Sequence, residues 1–232
     1  MTGLELTPGT WLIVTGIGVL LGLDAISWPQ MMTSRPIIAG TIGGMLFGNP
    51  VAGFVSGAWL ELVSSRHPPF GAARYPETGP AGLIAGSAYA LSDTGSILAL
   101  LGATIAGWTI GWIGTYSIAL LRLYNERTMG DPTAFGGDPA ELARRHRQSM
   151  RLDGARAALI TGALFVPVAL SVRWLESWAP GVSEGGLTSI LAVVALASLG
   201  GVGARLLGGR REGWPPFVVG ALAGFLLIWI GT

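Results

Sequence analysis

The chain has 232 residues, is 50% hydrophobic and only 12% charged, and carries a mean hydropathy of +0.57 with a formal net charge of +1. A soluble domain usually carries about twice that charged fraction, and nucleic-acid binding needs a basic stripe rather than scattered arginines. With no cysteine and two histidines, disulfides, thiolate chemistry and a histidine-rich metal site are excluded, and neither metal nor cofactor is expected.

The 37 glycines do not recur at every third position, as collagen requires; in apolar stretches, small residues let membrane helices approach closely. The first ten residues lack a positive n-region, and no small-residue cleavage site follows. Residues 11–23 are therefore expected to be a retained membrane segment.

A spanning helix needs about 20 apolar residues. Residues 9–23 are apolar and end at Asp24. Residues 36–48, stopped by Asn49-Pro50, residues 51–63, which contain Glu61, and residues 80–91 are all short. Residues 96–121 are long enough to span, and 157–172, 187–204 and 214–231 complete the set. Irregular backbone cannot face lipid, so short segments imply re-entrant or discontinuous helices buried in protein. Many transporters build substrate sites from such helices. The plainer alternative is one kinked hairpin over 36–63 with no site. The fold class is all-α: a polytopic membrane protein with Gly-rich spanning helices and short re-entrant or discontinuous hairpins. One integral-membrane domain is expected over 1–232, with N-terminal helices and a substrate loop in 9–121 and C-terminal helices in 157–232.

Between them, residues 122–156 are polar and are expected to form a loop followed by a helix, "DPAELARRHRQSM". Asp138 is placed to cap that helix, with Pro139 at its first position and Glu141 two further on. Arginines at 122, 127, 144, 145, 147, 151 and 156, and at 205, 210 and 211, put both polar stretches in the cytoplasm, with 175–186 outside. The orientation upstream of residue 96 stays open.

Glu61 ends an apolar half-helix. An ionised carboxylate there must be paired, hydrated or facing a cavity, so it is either a ligand or gating group or the partner of Arg66 or Arg35. Asp24 ends the first apolar run. Gln30 offers both a donor and an acceptor, and Ser34 is placed to cap a helix beginning at Pro36. Asp24 and Arg35 could equally be interfacial anchors. His67, beside two prolines, could bind a ligand or sit at an interface; His146 falls on a polar helix face. Trp11, Trp28, Trp174, Trp178, Trp214 and Trp229 lie near segment ends, as an aromatic belt does. Trp108 and Trp112 have helix-packing spacing, and Trp59 adjoins Glu61. No P-loop, zinc-ligand spacing or nucleophile elbow is visible, so an enzyme with its own active site is not expected.

The stretch "SRPIIAGTIGGMLFGNPVAGFVSGAWLELV" resembles the membrane IIC subunit of mannose-family (mannose, fructose, sorbose) sugar phosphotransferase systems. The family's "RP" and Gly-rich run, its turn, its second run ending in "LE", and its "G-A-A-x-x-P" pattern are matched, the last by Gly71, Ala72, Ala73, Pro76 and Glu77. The resemblance is specific over 23–86 and supportive over 140–228. Arg66 stands where glycine is usual, and Glu77 replaces the commoner Asp or Asn.

The resemblance implies a permease that binds and translocates a hexose, with a substrate site drawn from Glu61, Gln30, His67, Glu77, Asp24 and Arg66. It also implies a IID membrane partner, assembly as a trimer of IIC–IID pairs, cytoplasmic IIA and IIB phosphocarriers with the phosphotransfer chemistry on IIB, and residence in the bacterial inner membrane. A proton-coupled transporter using Glu61 or Asp24, or a non-transporting sensor or scaffold, remain the alternatives.

Overall fold

The computed structural model describes residues 5–27, 29–65, 75–92, 94–129, 138–181 and 183–206. The described residues form two compact units divided after Val182. The first holds α1 (Pro8–Ile26), α2 (Pro36–Leu46), α3 (Pro50–Ser64), α4 (Thr78–Ala90), α5 (Ile97–Met129), α6 (Pro139–Glu176) and a 3-10 turn at Ala179–Gly181. The second contains α7 (Glu184–Leu206). The expected segment 214–231 and the arginines at 210 and 211 lie outside the described residues.

Helix starts follow local chemistry. Proline stands in the first turn of α1, α2, α3 and α6, where a missing N–H costs nothing. Thr7 caps α1 through the Thr10 N–H at 3.2 Å, Asn49 caps α3 through Ala52 at 3.0 Å, and Asp138 caps α6 through Ala140 at 2.9 Å. Gly48, with φ +77°, makes the left-handed step between α2 and α3. Ser34 does not cap α2: the capping position is Arg35, with no side-chain bond of its own.

Helices α1, α5 and α6 are long and apolar enough to cross a membrane. The polar helix expected from residue 138 does not stop at the apolar boundary. It continues to Glu176 as a single helix of 38 residues with Pro167 inside it, because nothing between Arg151 and Ala157 breaks the hydrogen-bond ladder. Likewise α5 continues to Met129.

Helix α4 is the axis of the first unit. Every residue from Gly79 to Ala90 is buried, and α4 touches α1, α2, α3, α5 and α6. Only small side chains allow that. A Cβ on Gly43 would stand 2.5 Å from the Leu83 carbonyl of α4, and one on Gly40 would stand 2.7 Å from the Gly53 carbonyl of α3. Where lipid is as apolar as the side chains, such close van der Waals packing is what drives association.

Helices α2 and α3 form a hairpin whose tip packs on α6, with the Phe47 and Phe165 rings 5.8 Å apart. Along α6, Phe165 is about 14 Å from Arg156 and about 16 Å from Glu176. The tip thus turns about midway along the apolar part of α6. With 11 residues, α2 is about 16 Å long, half the hydrocarbon thickness. The hairpin enters and leaves by one end, so the first two short apolar runs are re-entrant as expected, whereas the third, in α4, runs from one end to the other.

The other end is marked by Glu176, which accepts hydrogen bonds from the Thr94 N–H at 2.8 Å and its hydroxyl at 2.6 Å. Gly22 meets Ala157, and Trp11 Nε1 donates to the Gly162 carbonyl at 2.7 Å, so α1 runs antiparallel to α6. The chain order is therefore α1 toward the arginine-rich end, the hairpin in and out of that end, α4 away from it, α5 back and α6 away. This gives the segments before residue 96, which the sequence leaves open, a direction relative to the arginine-rich end.

Candidate functional site

At the open end of the hairpin lies a cavity of about 500 Å³. Its walls are Ala25 of α1, Met32, Ser34 and Arg35 of the following loop, Pro36 of α2, Glu61, Ser64 and Ser65 at the end of α3, and Tyr75, Pro76 and Thr78 leading into α4. Three separated stretches of sequence thus meet at one recess, its wall mostly apolar with a few polar groups set into it.

Glu61 is on its wall. One carboxylate oxygen pairs with Arg35, and the other accepts the Ile37 N–H at 3.2 Å. Glu61 therefore takes the capping part that Ser34 was expected to play. Its charge sits against the positive end of α2, and Arg35, the more exposed partner, balances it. One turn further along α3, the Ser64 hydroxyl is buried and has no hydrogen-bond partner among the described residues. The oxygen is enclosed rather than open to the cavity, and burying a hydroxyl without a partner is unfavourable.

Asp24 stands behind the cavity. It accepts the N–H groups of Met31 at 2.6 Å and Ser34 at 2.8 Å. Those bonds hold a loop in which Gln30 and Met32 both adopt positive φ, 59° and 62°, a conformation unfavourable for non-glycine residues. Gln30 itself is exposed and donates to the Ile26 carbonyl at 2.9 Å, away from the cavity lining. The loop is joined to α4 by Thr78, whose hydroxyl donates to the Ser34 carbonyl at 2.9 Å.

Glu77 lies between lining residues but faces the other way. Its two oxygens accept both arms of Arg156, each at 2.7 Å. Arg156 also bonds Asp153 at 2.8 Å and the Ser117 hydroxyl at 2.9 Å, and Ser27 donates to Asp153 at 2.5 Å. Glu77 and Asp153 are almost fully buried, and Arg156 is 9% exposed.

Of the six residues singled out from sequence, Glu61 lines the cavity, Asp24 and Glu77 support it, Gln30 lies outside its lining, and Arg66 and His67 lie outside the described residues. Trp59 is also absent from the lining. Sequence reasoning missed Ser64, Asp153 and the role of Arg156. The available signal was "DGAR": an acid and an arginine three apart share a helix face just where the chain turns apolar.

A re-entrant hairpin, a buried axial helix and long apolar helices define an integral membrane protein built around a half-inserted hairpin. Over residues 10–220 the chain matches the model of the PTS system sorbose-specific IIC component. It belongs to that family, within the mannose class of phosphotransferase systems, and is a membrane transport component. No curated protein sequence matches it. In fold it is similar to a solved chain described as a membrane protein, with 18% identity, a TM-score of 0.71, and coverage of 98% of this chain and 92% of that one. It is also similar to a chain of the mannose transporter ManYZ, solved by cryo-EM in complex with microcin E492, with 22% identity, a TM-score of 0.52, and coverage of 96% and 87%.

Proposed function

We propose that this chain binds a hexose in the cavity between Glu61, Arg35 and Ser64 and carries it across the bacterial inner membrane. In this reading a cytoplasmic IIB protein, charged through IIA from phosphoenolpyruvate, phosphorylates the sugar. The chain pairs with a IID membrane subunit, and the pairs assemble as trimers. Family membership and the fold shared with a mannose transporter support this reading.

The observation that carries the reading is the chemistry of the cavity wall. A paired carboxylate and guanidinium present acceptors and donors together without net charge, and the Ser64 hydroxyl behind them has no partner among the described residues. A neutral polyol needs that mixture. Asp24 and Glu77 act as supports rather than ligands.

The cavity lies at the arginine-rich end. Along α5, Ser117 is about 31 Å from Ser96, and along α6, Arg156 is about 30 Å from Glu176. Each distance is about one hydrocarbon thickness. By the positive-inside rule that end is cytoplasmic, the side from which a phosphocarrier would reach the sugar.

The test is co-expression with candidate IID, IIA and IIB partners and assay of phosphoenolpyruvate-dependent phosphorylation over a sugar panel. Glu61→Ala is expected to assemble normally and lose the activity. Normal activity in that variant would refute the assignment, and no activity for any sugar in a well-assembled wild-type complex would favour a sensor or scaffold.

A further inference from the structure

The buried group of Glu77, Arg156 and Asp153 joins two carboxyl groups to one guanidinium. Replacing a buried ion pair by well-packed apolar groups is often neutral or stabilising, so stability alone is a weak reason to keep such a group. Its location suggests another reason. The extended segment 75–77 has Tyr75 and Pro76 on the cavity wall, and Thr78 follows them there, while Glu77 points into the group behind.

Among the described residues, the hydrogen bonds on residues 75–77 come from α5 and α6, while Thr78, next along the wall, bonds the Ser34 carbonyl. The Glu77 N–H donates to the Gly111 carbonyl at 2.9 Å. The Thr115 hydroxyl donates to the Tyr75 carbonyl at 2.5 Å. Arg156 holds the Glu77 carboxylate through both of its oxygens, and planar two-point pairing fixes orientation as well as distance. Glycines make the room: a Cβ on Gly111 would stand 2.9 Å from the Pro76 Cβ, and one on Gly114 would collide with the Glu77 carboxylate. The opposite wall, with Glu61 and Ser64, belongs to the α2–α3 hairpin.

We infer that Arg156 is a positioning residue for the substrate cavity, setting through Glu77 the distance between the Tyr75–Thr78 wall and the Glu61–Ser64 wall. The inference rests on the proposed sugar cavity. Arg156 never touches the sugar. Asp153, pinned by Ser27, and Ser117 aim the guanidinium.

The experiment is equilibrium binding of radiolabelled mannose and sorbose to the chain purified with its IID partner, for wild type, Ser117→Ala, Arg156→Lys and Arg156→Gln. Ser117→Ala removes one bond and leaves the pair intact, so it guards against loss of folding. The expected result is a Kd that rises in that order, by about tenfold or more at Arg156→Lys, with sites per assembled chain unchanged. Conservation of charge in lysine without the fork separates positioning from simple neutralisation. An unchanged Kd across the series, with only the number of sites or the thermal stability falling, would overturn the inference and leave a purely structural clamp. Wild-type protein that binds neither sugar would instead remove the sugar cavity itself, and with it the role assigned to Arg156.

Discussion

The contact between α4 and α2 makes a sharp prediction at Gly86. A Cβ there would lie 2.5 Å from the Gly40 Cα, whereas unstrained carbon contacts are about 3.5–4.0 Å. The obstacle is backbone, so no side chain can rotate aside, and α2 and α4 must part by about 1 Å. Overpacking of this kind costs about 1–3 kcal/mol, more than the gain of about 1 kcal/mol in helix propensity from Gly to Ala. Gly16 of α1 is the control, since nothing stands within 4 Å of its added Cβ. With about 2–4 °C per kcal/mol for a chain of this size, Gly86→Ala should melt several degrees below wild type and Gly16→Ala slightly above it. Thermal unfolding in detergent, followed by fluorescence of the nine tryptophans, measures both. A Gly86→Ala protein at least as stable as Gly16→Ala would refute the close-packed arrangement of α2 on α4.

Other consequences are simpler. Asn49→Ala removes the side-chain cap of α3 and should cost about 1 kcal/mol, read as a fall in melting temperature with the sugar Kd little changed. The natural absence of cysteine permits single-cysteine topology mapping. Arg147→Cys should react with a membrane-impermeant maleimide only in inside-out vesicles, and Ser177→Cys only in right-side-out ones. Reaction of both from one side would contradict the path drawn for α6.

Much of this architecture is legible in sequence because membrane constraints are severe. Apolar runs too short to span, interrupted at Asn49-Pro50, leave few options but a re-entrant hairpin, and Glu61 in such a run has to find a partner. The Asp138-Pro139 start of α6 is equally plain. What local sequence hides is where a carboxylate points. Glu77 sits in the same stretch as Tyr75 and Pro76, and only the alternation of an extended segment turns it away toward Arg156, 79 positions on. Ser34 looks like a cap for α2, but Asp24 and Thr78 engage its backbone and Glu61 reaches the helix end from α3. The unbroken α6 was obscured by a change from polar to apolar residues, which marks the edge of a membrane and not the end of a helix.

The central claim is that the cavity between Glu61, Arg35 and Ser64 holds sugar. Its most direct test uses the cysteine-free chain carrying Ser65→Cys, an exposed residue of the cavity wall, assembled with its partner, and follows the rate of thiol alkylation with increasing mannose or sorbose. Saturable protection by one sugar, with none at an exposed control cysteine such as Trp178→Cys, is the predicted result. An alkylation rate indifferent to both sugars, in protein that still binds one of them, would place the binding site elsewhere.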